Sequence, residues 1–473
     1  MKIISIRNTA SKRVRGTVQV TTLALALALG ACEQPTVPDY NNPSESEFLS
    51  ITALSQVQSM ATGLVAGDRN YIGNEIMFGE TMGRDLYRLD NAEPRYIIEL
   101  LGPSIDASDF IGTSTWPYSV IHLSDIMIKG SVAANSSVMT DAQKQAAIGF
   151  AQTIKALEYI RAIETRDTLG VPLGTDLANG ELAPIRCKPA VLEGISSMLD
   201  SAATALSAGG AAFPFELPAG FTGFTTPATF LTFNRALAAK VDIYRAFENY
   251  AATAAVDQSA LNDAGTALSQ SFITIAPGQL NVGPVHLFST ATGEVVNPLY
   301  QDPGSTIFRA NPRVVSEAEA GDRRVAANTT TGQLKSVSGA SSDVLITRYA
   351  SNTSSIPIIT NKELILMRAE VQWGLGNFTG AMDDVNLIRQ TDGNLAPVTL
   401  TTSDAVLTQI LKEKRYSLLF GSPARWIDAR MFGRLVGDPP AGVGQERGND
   451  PIAVMPIPAT EANGRNGDIS CTQ

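Results

Sequence analysis

The sequence predicts a mainly all-α protein: paired helices in a repeat-like scaffold, with long loops and one loop-rich insertion that has room for short strands. Three observations carry this. Apolar residues recur at i, i+3, i+4 and i+7 through most of the chain, the period of a helix with one buried face. Neighbouring stripes come in pairs joined by short turns, most clearly at 361–391. Between about 275 and 355 the stripes stop, and Gly, Pro, Thr, Ser and Asn replace them, with short apolar pieces such as Val344-Leu345-Ile346, a composition of loops and short strands.

In chain order, a first helix is predicted over about 45–65, with Phe48, Ile51, Leu54 and Val57 at three-residue spacing. Residues 67–113 read as a long polar and aromatic loop. Helices follow from near Trp116, then at 141–165, 189–207, 227–250 and 259–271. After the insertion they return at 361–375, 378–389, 403–420 and 423–432, and from Pro439 the chain reads as loop. In the pair at 361–391, Leu364, Met367, Val371 and Leu375 line one helix, and Ala381, Val385 and Ile388 line the next. Gly376-Asn377 makes the turn, Gly as helix stop and Asn as a residue that tolerates the left-handed conformation. Ala369-Glu370, Leu375-Gly376-x-Phe378 and Ala381 resemble the tetratricopeptide pattern, and the pairs at 141–208 and 227–271 extend it toward a several-repeat scaffold.

The N-terminus reads as an export signal. Lys2, Arg7, Lys12, Arg13 and Arg15 precede an apolar run from Val18 to Ala31. A charged head, a short apolar core and small residues before a cut site make such a signal, and the core is too short to span a bilayer. Leu29-Gly30-Ala31-Cys32 resembles a lipobox. Cys32 is then the lipidated mature N-terminus, against the alternative of an ordinary secretory signal that happens to hold a Cys. The expected organisation is a signal at 1–31, lipidated Cys and Pro/Asn-rich tether at 32–44, and one α-helical domain at 45–473. The expected location is a membrane surface, held there by the lipid.

Removing five of 36 cationic residues and none of 46 acidic ones leaves a formal charge of −15. That charge argues against nucleic acid as a partner, since phosphate binding needs clustered Lys and Arg. Cys187 and Cys471 remain, in a compartment where disulfides persist. They are candidates for a pair; the alternative is two buried free thiols, because sequence separation does not give distance.

The final 115 residues resemble the SusD/RagB family of nutrient-binding outer-membrane lipoproteins. The family helix reads roughly Ile-x-x-Glu-Arg-x-x-Glu-Leu-x-Phe-Glu-Gly-x-Arg-Trp-x-Asp-x-x-Arg. Here Ile410, Glu413, Arg425, Trp426, Asp428 and Arg430 match. Ser417 stands where the family has Glu, and Gly421-Ser422 replaces Glu-Gly with one extra residue. Pro456-x-Pro458-x-x-Glu461 resembles the family's closing segment, and Gly321-Asp322-Arg323-Arg324 its Asp-x-Arg piece. Looser similarity covers Phe150–Leu157 leading to Gly170-Val171-Pro172, and Trp116-x-Tyr118-x-x-Ile121. The resemblance implies a tetratricopeptide-like scaffold on the cell surface over a TonB-dependent β-barrel, acting as a hinged lid that captures oligosaccharides, or in some members peptides. It implies that Glu413, Arg425, Trp426, Asp428, Arg430, Pro456 and Glu461 serve the fold. Arg425 and Asp428, three apart, are expected to pair on one helix face.

Glycan recognition needs aromatic faces beside polar donors and acceptors. The segment 67–113 supplies that mixture, and Tyr71, Tyr87, Arg88 and Tyr96 are the ligand-contact candidates. The competing reading folds these aromatics back onto the helices. Catalysis has little sequence support: His122 and His286 are isolated, and no His-Glu-x-x-His, Gly-x-Ser-x-Gly, P-loop or calcium loop occurs, so neither metal nor cofactor is expected. A glycosidase carboxylate pair would be hidden among many surface acids. A secreted carbohydrate-active enzyme and a tetratricopeptide adaptor that binds only protein are the alternatives to a substrate-binding lipoprotein.

Overall fold

The computed structural model describes residues 45–178, 180–302, 304, 307–437 and 442–473. Cys32, the signal and the tether at 33–44 lie outside the described residues. The helices of eight residues or more are α1 (Leu54–Met82), α2 (Tyr118–Ala133), α3 (Asp141–Arg166), α4 (Lys188–Ser207), α5 (Pro227–Ala246), α6 (Gln258–Gln270), α7 (Asn361–Gly374), α8 (Phe378–Ile388), α9 (Ser403–Leu418) and α10 (Ala424–Met431). Packing follows the chain: each helix from α1 to α9 lies against the next, α7 also meets α9, and α10 returns against α1. Phe48–Gln473 forms one compact unit.

Local chemistry sets these ends. Thr140 and Gln143 cap α3 reciprocally, and Thr226 caps α5 with Pro227 at its first position, both favourable starts. Gly376 takes φ +78° after α7, while Asn377, at φ −85°, caps α8 by accepting from the Gly380 N–H. Glycine alone therefore supplies the left-handed residue of that turn. The core between α3, α4 and α5 is aromatic: Phe150 lies 4.9 Å from Phe215 and 5.3 Å from Phe230, centroid to centroid.

Three predicted elements change. The first helix breaks at 50–53, where the Gln56 side chain accepts from the Thr52 and Ala53 N–H groups and starts α1 at Leu54. That helix then runs to Met82, through sixteen residues of the expected loop. Its polar residues point inward: Asp68, Glu75 and Glu80 are buried. Their polarity belongs to ion pairs inside the protein rather than to a solvated loop. The fifth helix ends at Ala246 rather than Tyr250, and Tyr250–Thr253 forms a separate turn of helix.

The insertion holds strands. β1 (Leu86–Arg88), which precedes the insertion, is joined by the insertion's β2 (Phe308–Ala310), β3 (Thr329–Val337) and β4 (Ala340–Ile346) in an antiparallel sheet of order β1-β2-β4-β3. Ser338 and Gly339 both have positive φ between β3 and β4, as a tight hairpin turn requires. Cys187, at the start of α4, is disulfide-bonded to Cys471, with Cα atoms 4.9 Å apart. Next to the bond, the Cys187 N–H donates to Thr472 O and the Thr472 N–H to Ile185 O.

Candidate functional site

A cleft of about 520 Å³ opens where the insertion meets α7 and α9, a size usual for small-ligand sites. Four cations line it, Arg323, Arg324, Arg348 and Lys362, against one carboxylate, Asp392. Asp322 caps the short helix Arg323–Asn328 and brings both its arginines to the cleft. Arg324 is buried and fully engaged: it donates to Asp322 and to Glu413, 2.6 Å away, and to Ser417 Oγ at 2.9 Å. Arg323 is exposed and donates to the carbonyls of Thr391 and Asp392. Arg348, following β4, donates to Leu419 O at 3.0 Å. Among the described residues no carboxylate forms an ion pair with either Arg323 or Arg348.

Lys362 sits in the first turn of α7 and is 7 % exposed. Its one ion pair, to Asp392, is long at 3.4 Å. Burial pushes this ammonium down from its ordinary range; Asp392 opposes the shift, while Arg348 and Arg324 reinforce it. The helix dipole adds to the cost, since a cation at a helix N-terminus faces its positive end. Asn281, Asn328, Ser354 and Ser355 supply amides and hydroxyls around the charges. The cleft thus offers more positive charge than its own carboxylates neutralise.

None of these residues was singled out from sequence as a ligand contact. Two departures from the family pattern point to them in retrospect. Ser417, in place of Glu, lines the cleft beside Arg324. Gly421 lies under Arg348, whose guanidinium a side chain there would collide with.

The predicted contacts lie elsewhere. Tyr87 is 2 % exposed, and its hydroxyl donates to Glu446. Tyr96 is 8 % exposed and lies under Arg88, whose Cζ is 3.9 Å from the ring centroid. Tyr71, on α1, is half-buried and shares a hydrogen bond with Ser119. The four do not assemble into a surface, because the rings fold back onto helix and sheet. Every aromatic side chain among the described residues is buried or half-buried.

The family-motif residues are internal. Glu413 accepts from Arg324, Arg389 and Gln409. Trp426 is fully buried, donates to Ile452 O at 2.7 Å and lies under Arg430. Arg425 and Asp428 do not pair: Arg425 reaches Asp85, and Asp428 accepts from Lys414 at 2.8 Å. Stronger partners on other segments take both. Arg430 donates to Ala453 O and Glu164 O, Pro456 O accepts from Arg166, and Glu461 pairs with Arg465.

A second charge centre lies between α1 and α3. Arg161 donates to Asp68 at 2.8 Å and to Glu75, and His286 Nε2 lies 2.6 Å from Asp68. Burial would raise Asp68, but Arg161 and His286 hold it below the usual carboxylate range. Glu158 is pushed well up by burial and by the neighbouring Asp68 carboxylate. The adjoining gap is only about 30 Å³, room for a water but not a sugar ring. Among the described residues, no group of three or more His, Cys, Asp or Glu side chains is placed to hold a metal ion, and no helix is long and apolar enough to cross a membrane.

No family model and no curated protein matches the chain by sequence. Solved structures do match in fold. A SusD superfamily protein from Parabacteroides distasonis superposes with TM-score 0.67 at 15% identity, over 88% of this chain and 98% of its own. A SusD-like carbohydrate-binding protein from Bacteroides fragilis gives 0.62 at 14% identity, over 88% and 99%. B. fragilis NanU gives 0.58 at 16% identity, over 84% and 92%. The chain thus shares the fold of these SusD-superfamily structures along most of its length.

Proposed function

We propose that this protein is a lipid-anchored, outer-membrane substrate-binding protein that captures oligosaccharides and delivers them to a TonB-dependent β-barrel. The observation that carries the reading is the fold match along nearly the whole length of SusD-superfamily structures, one of them described as carbohydrate-binding. The export signal ending in Cys32 supplies the anchor. The ligand enters the polar cleft between the insertion and α7, and binds there without chemistry.

A thermal-shift screen of the mature protein against oligosaccharides and peptides tests this. A ligand for the native state raises the melting temperature in proportion to its saturation. Glycan hits without turnover are expected. Hits confined to peptides would replace the substrate class, and released product would make the protein an enzyme. A Cys32→Ala variant is expected to leave the membrane fraction; its retention there would reject the anchor. Pull-down of a β-barrel from detergent-solubilised membranes is the corresponding test of the partner.

A further inference from the structure

We propose that the cleft between the insertion and α7 takes an acidic oligosaccharide, with Arg323, Arg348 and Lys362 receiving a carboxylate or sulfate carried on the sugar. This rests on the glycan-capture reading and narrows it.

The argument is one of charge balance. Buried cations are stable when paired. Here buried Arg324 has two carboxylates, yet buried Lys362 has only a 3.4 Å contact to Asp392, and in the same cleft half-buried Arg348 and exposed Arg323 bind backbone carbonyls. Glu80 also acts on Arg348, without forming an ion pair with it, and burial together with Asp85 pushes that carboxyl up. Two sequence choices keep the site cationic: Ser417 contributes a hydroxyl where the related motif has a carboxylate, and Gly421 leaves room for the Arg348 guanidinium.

An entering anion gains charge-assisted bonds from three donors already held in place. It also relieves the mutual repulsion of Lys362, Arg348 and Arg324. The rest of the cleft matches a sugar rather than a bare ion. Asn281, Asn328 and Ser355 line the same space, and amides and hydroxyls both donate to and accept from sugar hydroxyls. The volume exceeds what a lone sulfate would fill.

The test uses the mature protein purified in detergent and four probes: a galacturonic acid oligomer, its methyl ester, a sulfated oligosaccharide of similar length, and inorganic sulfate. At least one acidic sugar is expected to bind by calorimetry, and the uncharged ester to bind at least roughly tenfold more weakly, the worth of about one charge-assisted bond. Which acidic sugar binds identifies the anion as carboxylate or sulfate ester. Arg348→Gln and, separately, the exposed Arg323→Gln are each expected to cost roughly tenfold in affinity for the acidic sugar. Binding of the ester as tight as that of the acid would overturn the proposal and leave glycan capture standing. So would acid binding that both variants leave unchanged. Equal response to inorganic sulfate would remove the sugar from the assignment. No binding by any sugar of either charge, across the wider panel as well, would bring down glycan capture and this proposal together.

Discussion

Two charge centres in this molecule are built from the same residue types in opposite proportion. Around Arg161, three acids, Asp68, Glu75 and Glu158, converge on one guanidinium and one histidine beside a gap of about 30 Å³. In the cleft beside α7, four cations share a single lining carboxylate around about 520 Å³. In the first centre burial and Asp68 push the Glu158 carboxyl up, in the direction that eases the excess of negative charge. The second is made mainly of guanidiniums, which do not release their protons near neutral pH, with Lys362 the one cation of the four that can. A closed centre that eases its own imbalance joins α1 to α3. An open one that does not is poised for a charge from outside.

The largest expected effect would break the closed centre. Arg161→Met leaves Asp68 and Glu75 buried without their cation, and loss of one partner of a buried pair costs about 3–5 kcal/mol. Urea unfolding measures it; a midpoint near that of the wild type would mean that water already neutralises these acids. Next comes the proton. Glu158 has a raised pKa in the folded protein, so its contribution to stability is complete below the ordinary value of 4.5 and is lost as pH rises through the raised one. Glu158→Gln is therefore expected to gain on the wild type as pH increases from about 4.5 to 8. Parallel stability curves would place the proton elsewhere.

The cleft is expected to respond with the opposite sign. Lys362→Met removes an under-compensated buried ammonium and leaves Asp392 at the open cleft, so stability changes by less than about 1 kcal/mol or rises. A loss as large as that of Arg161→Met would erase the distinction between the two centres. Smallest of all is Arg323→Gln, an exposed position, expected within about 0.5 kcal/mol by thermal melting. Its effect is confined to affinity.

The helical half of the protein was legible in the sequence because its information is local. Stripes such as Leu364, Met367 and Val371 mark a buried face wherever the helix goes, and Gly376 marks its end. The α1 extension was not legible, because Asp68 and Glu75 look like loop residues until Arg161, nearly ninety residues away, is seen to receive them. The resemblance located Glu413, Trp426 and Arg430, but not their partners: Arg425 and Asp428, suited to each other by spacing, are drawn to Asp85 and Lys414. The cleft was least legible. Its cations come from separate segments, and what distinguishes it is a shortage of carboxylates rather than a motif. Ser417 and Gly421 were visible as mismatches, and a mismatch carries no direction until the space around it is known. The tyrosines show the converse: their composition suited a sugar, while in the structure Tyr87 and Tyr96 are buried and Tyr71 is half-buried.

The bond between Cys187 and Cys471 reaches across 284 positions of sequence and encloses α4 to α10, the sheet strands of the insertion and the cleft. A single cut in any loop of that span leaves both pieces on one covalent molecule. Exposed loop tips are where proteases strike first, and one nick within this span does not by itself shed a fragment. A chain nicked in this way runs as one band on a gel until a reductant is added, and as two afterwards.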